Sequence, residues 1–266
     1  MNAPLPAGAH QAGHATARPV LSVSGIVKSY AGPPVLDGVS FTVDAGAALA
    51  IIGANGSGKS TLLKCLVRLT EPTSGAIEIL DQDVRRLKSR DLRRFRSRVG
   101  VVWQKHNLVP RISALSNVLH GVQARMSGPR SWWHWAAPAA VRAEAMTCLD
   151  RVGLADKALQ RVDSLSGGQQ QRVAIARMLM QRPELVLADE PDASLDPQSG
   201  EDVMRLLSNL ARQDRLTLIV ISHRLEHTLQ FSDRIIGLAG GRVTLDLPTV
   251  AADPNQLRRF FDKPLH

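Results

Sequence analysis

A glycine-rich run at residues 53–60, GANGSGKS, separates an apolar stretch at 47–52 from a helical pattern. A strand, a loop of the form G-x-x-x-x-G-K-[ST] and a helix in this order form a setting in which backbone N–H groups surround phosphate oxygens. Glycine permits the tight turns, and the dipole of the helix adds positive charge. An ordinary glycine-rich turn is the alternative, which the flanking strand and helix disfavour. The run therefore predicts an α/β fold in which a buried strand leads into the loop.

The chemistry of this loop predicts a nucleotide site. Lys59 would reach the β- and γ-phosphates, and the Ser60 hydroxyl would ligate Mg²⁺. The residues predicted to bind the nucleotide here are Gly53, Asn55, Gly56, Ser57, Gly58, Lys59, Ser60 and Thr61.

A second apolar run, residues 185–188, ends in the carboxylates Asp189 and Glu190. It is typical of a strand that is buried on both faces and delivers charge to a ligand crevice at its carboxyl end. We predict that Asp189 holds the Mg²⁺ shell and that Glu190 orients or deprotonates an attacking water. An ordinary strand that leads into a loop is the alternative for this run taken alone.

A third motif, Leu-Ser-Gly-Gly-Gln at 165–169, is followed by Gln-Gln-Arg and lies far from the first phosphate loop in the sequence. Ser166 and the N–H groups of the two glycines would begin a helix whose dipole favours an anion. The chain already has one phosphate loop, so this second anion site predicts contact with a partner's nucleotide. Its predicted binding residues are Ser166, Gly167, Gly168 and Gln169.

The order of these motifs resembles one family, the nucleotide-binding subunits of ATP-binding cassette (ABC) transporters, over residues 21–247. The resemblance implies a P-loop NTPase (RecA-like) α/β core with a small antiparallel β-subdomain and an inserted α-helical subdomain at about 105–164. It places the ATPase domain at 20–250 and leaves a C-terminal segment at 251–266. The composition of residues 1–19 predicts a disordered tail.

Four further residues take roles from this resemblance. Tyr30 matches the aromatic that stacks on adenine, although by itself it would be an unremarkable aromatic at a strand end. Gln104 matches the glutamine that contacts Mg²⁺ and the attacking water, and Asp196 belongs to the loop that follows the catalytic glutamate. His223 matches the histidine that touches the γ-phosphate, whereas an isolated histidine is more often surface or core filler. Glu190, His223 and Gln104 are thus the predicted catalytic residues.

The same resemblance implies partners and a location. ATP and Mg²⁺ would lie between two copies arranged head to tail, each completing the other's site. Integral membrane permease subunits would form the pore, and a periplasmic substrate-binding protein would act indirectly. The chain has no run of eighteen apolar residues and its first nineteen residues have no apolar core, so we expect a peripheral protein at the cytoplasmic face of a bacterial inner membrane.

Closer similarity concerns the transported substrate. Several runs look like the phosphonate-import branch of the family, which implies uptake of phosphonates or related phosphorus oxyanions. Those runs are residues 107–111, 151–157, 164–177, 188–197 and 232–238. Residues 222–227, SHRLEH, depart from that branch's usual residues. An ATPase for another cargo, such as amino acids or lipoproteins, and a soluble ABC protein such as a carbon-phosphorus lyase component are the alternatives.

Two segments lie outside these motifs. Residues 85–98 hold eight Lys or Arg and one Asp, and Leu92, Phe95 and Val99 recur among them at helical spacing. The basic face of this segment is either simply exposed to solvent or attracted to anionic lipid or to nucleic acid. We expect no nucleic-acid partner, because no aromatic side chains that could stack on bases lie among the arginines. The tryptophans at 132–135 predict either a loop folded on its own lobe or an amphipathic contact.

Overall fold

The structure is a computed structural model that describes residues 19–125 and 137–261. In chain order its strands are β1 (Leu21–Lys28), β2 (Leu36–Val43), β3 (Ala48–Ile52), β4 (Ser74–Ile79), β5 (Gln82–Asp83), β6 (Val99–Val102), β7 (Leu185–Asp189), β8 (Thr217–Ile221), β9 (Arg234–Ala239) and β10 (Arg242–Pro248). Its α-helices are α1 (Lys59–Leu66), α2 (Ser89–Arg98), α3 (Ala114–Leu119), α4 (Ala139–Arg151), α5 (Gly167–Leu179), α6 (Pro197–Gln213), α7 (Leu225–Phe231) and α8 (Pro254–Phe261).

Two sheets organise these elements. The larger sheet has six strands in the order β10-β9-β3-β8-β7-β6, and its neighbours are parallel except for the antiparallel pair β9 and β10. The smaller sheet is antiparallel, with the order β2-β1-β4-β5. Helices α3 and α4 lie between β6 and α5 in the sequence. This architecture confirms the predicted α/β P-loop core with an antiparallel β-subdomain and inserted helices.

The central strands separate two apolar clusters. Leu185 and Leu187 of β7 pack with α1 and the antiparallel sheet, whereas Val186 and Ala188 pack with helices α3 to α6. Successive side chains of a strand point to opposite faces, so a strand covered on both sides is apolar throughout. All five residues of β7 are buried, as the continuous apolar run predicts.

The parallel strands also bring the candidate site together. The carboxyl ends of β3, β6, β7 and β8 all lie at one edge of the sheet, because these strands run in the same direction. The segments that follow them contain the phosphate loop, Gln104, Glu190 and His223.

Residues 89–98 of the basic segment form α2, and the predicted apolar stripe is confirmed for Leu92 and Phe95, whereas Val99 begins strand β6 instead of continuing the helix. Phe95 is fully buried, Val99 is buried and Leu92 packs against the same cluster. The exposed side carries Arg90 and Arg94. The helix is thus held by its apolar stripe, and its arginines line its outer side.

Truncation of the Phe95 side chain should therefore be costly. We expect Phe95→Ala to lower the free energy of unfolding by about 3–5 kcal/mol, because a fully buried ring leaves a cavity. Urea denaturation would measure the change. Arg94→Ala, at an exposed position of the same helix, should stay within about 0.5 kcal/mol of wild type. Equal effects of the two substitutions would contradict this packing.

An ion pair holds α4 to its surroundings. Glu144 Oε1 accepts hydrogen bonds from Arg125 and Arg182, each at 2.8 Å. Burial by itself raises the pKa of Glu144, but the hydrogen bonds and charges of the two arginines outweigh it and hold that pKa below its ordinary value of 4.5. A carboxylate with a depressed pKa adds stability above its ordinary pKa and loses it as pH falls through the folded-state pKa.

Glu144→Gln tests this pH dependence. At pH 7 we expect the variant to be less stable than wild type by about 1 kcal/mol, since the ion pair is partly exposed to solvent. The difference should shrink as pH falls below 4.5, because wild-type Glu144 becomes protonated as well. Urea unfolding at several pH values would measure it, and a difference independent of pH would contradict the assignment.

Some predictions fall outside the described residues. They concern the tail at 1–18, the tryptophans at 132–135 and the last residues, 262–266. Within residues 19–125 and 137–261, no helix is both long enough and apolar enough to span a bilayer.

Candidate functional site

The phosphate loop connects β3 to α1 and encloses a cavity of about 180 Å³. The residues that line it are Val35, Asn55, Gly56, Gly58, Lys59, Ser60, Thr61 and Glu190. Two glycines in the loop allow no side chain: a Cβ at Gly53 would lie 2.3 Å from the Leu238 carbonyl oxygen, and one at Gly58 would lie 2.7 Å from that of Val35. Both also have positive φ angles, 151° and 104°. The sequence thus forms this loop only with glycine at these positions.

Lys59 is a buried cation inside the loop. Its Nζ donates to the carbonyl oxygens of Gly53 and Ala54 at 2.8 and 3.0 Å. Burial lowers the pKa of Lys59, while the charges of Glu190 and Asp189 oppose that change. The buried Ser57 hydroxyl has no hydrogen-bond partner among the described residues. A buried ammonium with neutral acceptors and a free hydroxyl fit an anionic ligand such as a phosphate chain.

Asp189 and Ser60 meet beside this cavity. The Ser60 hydroxyl donates to Asp189 Oδ1 at 3.4 Å, and the carboxylate is buried. Burial and the neighbouring charge of Glu190 raise the pKa of Asp189, against the smaller effects of Ser60 and two lysines. Hard cations such as Mg²⁺ prefer oxygen ligands, so a hydroxyl and a carboxylate in contact fit such an ion.

Glu190 and His223 form the polar mouth of the site. Glu190 follows β7, His223 follows the adjacent strand β8, and His223 Nε2 lies 2.5 Å from Glu190 Oε1. Glu190 adopts a left-handed backbone conformation with φ of 48°. This conformation is uncommon for a residue with a side chain, and it turns the chain sharply at the edge of the sheet. A carboxylate and an imidazole held together can bind a water and accept its proton.

Gln104 and Tyr30 are less closely associated with the loop. Gln104 is exposed immediately beyond β6, and Tyr30 is 60% exposed beyond β1 with Lys28 Nζ 4.7 Å from the centre of its ring. Within the described part of the chain, neither residue lines the cavity around Lys59. The structure brings together Lys59, Ser60, Asp189, Glu190 and His223, but it does not bring Gln104 or Tyr30 into contact with them.

The third motif lies in a different cavity, of about 320 Å³, at the start of α5. Ser166 and Gln169 form a capping box: the Ser166 hydroxyl accepts from the Gln169 N–H at 3.3 Å, and the Gln169 amide oxygen accepts from the Ser166 N–H at 3.1 Å. None of the residues described as lining this cavity also lines the phosphate-loop cavity. One chain therefore holds its two candidate anion sites apart.

The glycines of this motif pack near the loop that follows Glu190. A Cβ at Gly167 would lie 3.2 Å from Leu195, and one at Gly168 would lie 3.4 Å from Ser199. Next to Leu195, Asp196 caps α6 by accepting from the Ser199 N–H at 3.0 Å, and this backbone hydrogen bond lowers the pKa of Asp196. The motif and the loop with Asp196 therefore share one surface.

Two contacts near the site were not predicted from the sequence. Arg177 of α5 donates to the carbonyl oxygens of His106 and Asn107 at 2.9 and 2.7 Å, close to Gln104. His227 and Asp192 form a second, buried carboxylate–imidazole pair with 2.7 Å between Nδ1 and Oδ2. The two residues follow β7 and β8, which the structure places side by side.

Comparison with known proteins agrees with this geometry. A family model described as "ABC transporter" matches residues 36–193. A phosphonates import ATP-binding protein of Bordetella parapertussis is 43% identical over 246 residues, which cover 91% of this chain and 96% of that protein. A phosphate-import ATP-binding protein of Mycolicibacterium smegmatis is 46% identical over 238 residues and 90% of each chain.

A solved structure shares the fold. It is a dimeric ATP-binding cassette in a post-hydrolysis state bound to ADP and Pi, with a TM-score of 0.76 and 33% identity over 86% of this chain and 98% of that one. In that protein the cassette is a dimer and holds the products of ATP hydrolysis.

Proposed function

The chain belongs to the ABC transporter family of ATP-binding, ATP-hydrolysing subunits, and from this premise we propose that it energises bacterial import of phosphonates or related phosphorus oxyanions. The presence of Lys59 and Glu190 in one cavity carries the ATPase assignment. The cargo assignment rests on similarity to relatives whose names state phosphonate import.

In this proposal ATP binds with its phosphates in the glycine-rich loop. Lys59 exchanges its two carbonyl contacts for the β- and γ-phosphates, and the N–H groups at the start of α1 surround the phosphate oxygens. The ring of Tyr30, which is exposed, stacks on adenine. Ser60, Asp189 and Gln104 would hold Mg²⁺, which when bound neutralises charge that develops on the phosphates.

Hydrolysis needs a positioned water. Glu190 orients this water and accepts its proton as the oxygen attacks the γ-phosphorus in line with the leaving ADP oxygen. His223 Nε2 lies 2.5 Å from Glu190 Oε1, and once ATP is bound it would exchange this contact for a γ-phosphate oxygen. Gln104 contacts the same water once its loop moves toward the site. Most of the rate enhancement comes from this positioning and from charge neutralisation, since phosphoryl transfer requires little covalent chemistry from the protein.

The complete site requires a second copy of the chain. In a head-to-tail dimer, residues 166–169 of one copy cover ATP on the loop of the other, and Asp196 contributes near the same interface. The separation of the two cavities within one chain supports this arrangement. The dimer closes on ATP and reopens after hydrolysis, and this cycle drives the transporter.

The remaining partners follow from the family. Integral membrane permease subunits form the pore, and the chain lies peripherally at the cytoplasmic face of the bacterial inner membrane. A periplasmic substrate-binding protein acts indirectly by delivering the cargo to the permease. The similarity to a relative named for phosphate import makes phosphate a second candidate cargo.

The cargo is tested in the reconstituted transporter. The chain, its permease and its binding protein would be assembled in proteoliposomes, and ATPase activity would be measured with the binding protein loaded with a phosphonate, phosphate or an amino acid. We expect the phosphonate to stimulate turnover most. Preferential stimulation by phosphate would support the second candidate, and stimulation by the amino acid alone would overturn both.

A further inference from the structure

Two carboxylate–imidazole pairs join the same two segments of the chain. The first is Glu190 with His223, at the mouth of the phosphate-loop cavity. The second is Asp192 with His227, where Nδ1 donates to Oδ2 at 2.7 Å and both side chains are about 95% buried. Each carboxylate follows β7 and each imidazole follows β8. Neither residue of the second pair is among the described residues that line the phosphate-loop cavity.

The buried pair is tightly enclosed. Arg224 places its Nε 3.6 Å from Asp192 Oδ2, so its guanidinium lies beside the oxygen that His227 contacts. Helix α6 closes over them at Gly200, where a Cβ would lie 3.3 Å from Asp192 Cβ and 3.4 Å from Arg224 Nη1. The Ser222 hydroxyl accepts from the Arg224 N–H at 3.1 Å and fixes the turn on either side of His223. The segment that carries His223 is therefore held at both ends.

The buried pair can set the distance between the segments that follow β7 and β8. The backbone N–H of Glu190 already donates to Ile221 of β8 at 3.1 Å, but beyond that point the two segments leave the sheet. Past the sheet edge, side-chain contacts must set their separation. A buried, charge-assisted hydrogen bond is short and directional, so it fixes that separation more narrowly than an apolar contact would.

We propose that Asp192 and His227 are positioning residues, which hold the segment of His223 against the turn of Glu190 and so keep the two catalytic side chains in register. The proposal rests on the proposed function, because it requires Glu190 and His223 to act on the attacking water. The His227 side chain is buried and does not line the phosphate-loop cavity, so in this proposal it does not contact ATP. It acts through His223.

The first test is the steady-state kinetics of ATP hydrolysis by the full chain. We expect His227→Leu to lower kcat by about 100-fold, since a misplacement near 1 Å can have that effect. The KM for ATP should change less than about twofold, because the phosphate loop is untouched. Gln230→Leu, at an exposed position of the same helix, is the matched control and should behave as wild type. An unchanged kcat in His227→Leu overturns the proposal.

A conservative pair of variants tests the hydrogen bond itself and guards against failure of His227→Leu to fold. Asparagine places its amide nitrogen near the position of Nδ1, whereas glutamine places it near that of Nε2. We expect His227→Asn to retain most of the turnover and His227→Gln to lose about 10-fold, the usual effect of losing a hydrogen bond to a charged group. Equal turnover in the two variants argues against positioning.

A double-mutant cycle separates positioning from general destabilisation. In a His223→Ala background, measured by single-turnover hydrolysis of labelled ATP, His227→Leu should have little further effect, because the side chain that it positions is already gone. A loss by the same factor in both backgrounds overturns the proposal. The proposed function has its own test. If Glu190→Gln hydrolysed ATP as fast as wild type, the proposed function would be wrong, whatever the result for His227.

Discussion

Replacing Glu190 with glutamine should lower ATP turnover by about 10²–10⁴-fold while ATP binding persists. The amide has nearly the shape of the carboxylate, so the cavity beside Lys59 is preserved, but it cannot accept the proton of the attacking water. Turnover would be measured by phosphate release and binding by a fluorescent ATP analogue. Glu226→Gln, which makes the same change at an exposed position on α7, should retain full activity.

The same variant tests the composite site. With ATP and Mg²⁺ present, Glu190→Gln should accumulate as a dimer, because hydrolysis no longer reopens the interface. Light scattering after gel filtration would report the mass. A Ser166→Ala substitution in this background should weaken the dimer, since Ser166 caps the helix that would face the partner's nucleotide in the proposed dimer. A sample that stays monomeric with ATP would contradict the shared site.

Lys59→Ala should remove both binding and hydrolysis. Its ammonium is buried and, among the described residues, donates hydrogen bonds to two loop carbonyls, which it can exchange for the phosphate chain. Loss of this charge-assisted contact should weaken ATP binding by about 100-fold, and turnover should fall below detection. Isothermal titration with ATP and Mg²⁺ would measure the affinity. Lys88→Ala removes the same charge from an exposed position just before α2 and should bind ATP normally.

Normal ATP binding by Lys59→Ala would show that the role assigned to Lys59 is wrong. If Lys59→Ala bound ATP as tightly as wild type, phosphate recognition would rest on the backbone N–H groups and the helix dipole alone. The assignment of Lys59 to the β- and γ-phosphates would then be wrong, although the loop could still bind the nucleotide.

Much of the core could be predicted because its signals are local. Strand β3, the loop and α1 follow one another within a short stretch, and β7 reads as a continuous apolar run because both of its faces are covered. The ends of the strands are less evident in the sequence: β1 stops at Lys28 and β2 begins at Leu36. Such ends depend on pairing with neighbours, which a single sequence does not display.

The start and the apolar face of helix α6 are both visible in the sequence. Asp196 followed by Pro197 is a typical helix start, and Val203, Leu207 and Leu210 recur at helical spacing. The resemblance gave Asp196 a role in a loop. Its side chain also caps this helix, so one residue has both a local structural partner and a predicted contact across the dimer.

The pair of Asp192 and His227 shows what could not be predicted. The two residues are 35 positions apart, and the sequence around each of them gives no indication that they form a pair. Only the adjacency of β7 and β8 brings them together, and the order of strands in a sheet depends on the packing of the entire domain. The separation of the two anion cavities within one chain depends on the same packing.

Helix α5 connects the cavity at Ser166 to the backbone that follows Gln104. It begins next to Ser166. Near its other end, Arg177 donates hydrogen bonds to the carbonyl oxygens of His106 and Asn107. The distance from Ser166 to Arg177 along a regular helix is about 17 Å. A helix of this length is stiff, so a second copy that displaced its first turn in the proposed dimer would also displace its last turn. In the proposed dimer, the backbone next to Gln104 would thereby respond to binding of the second copy.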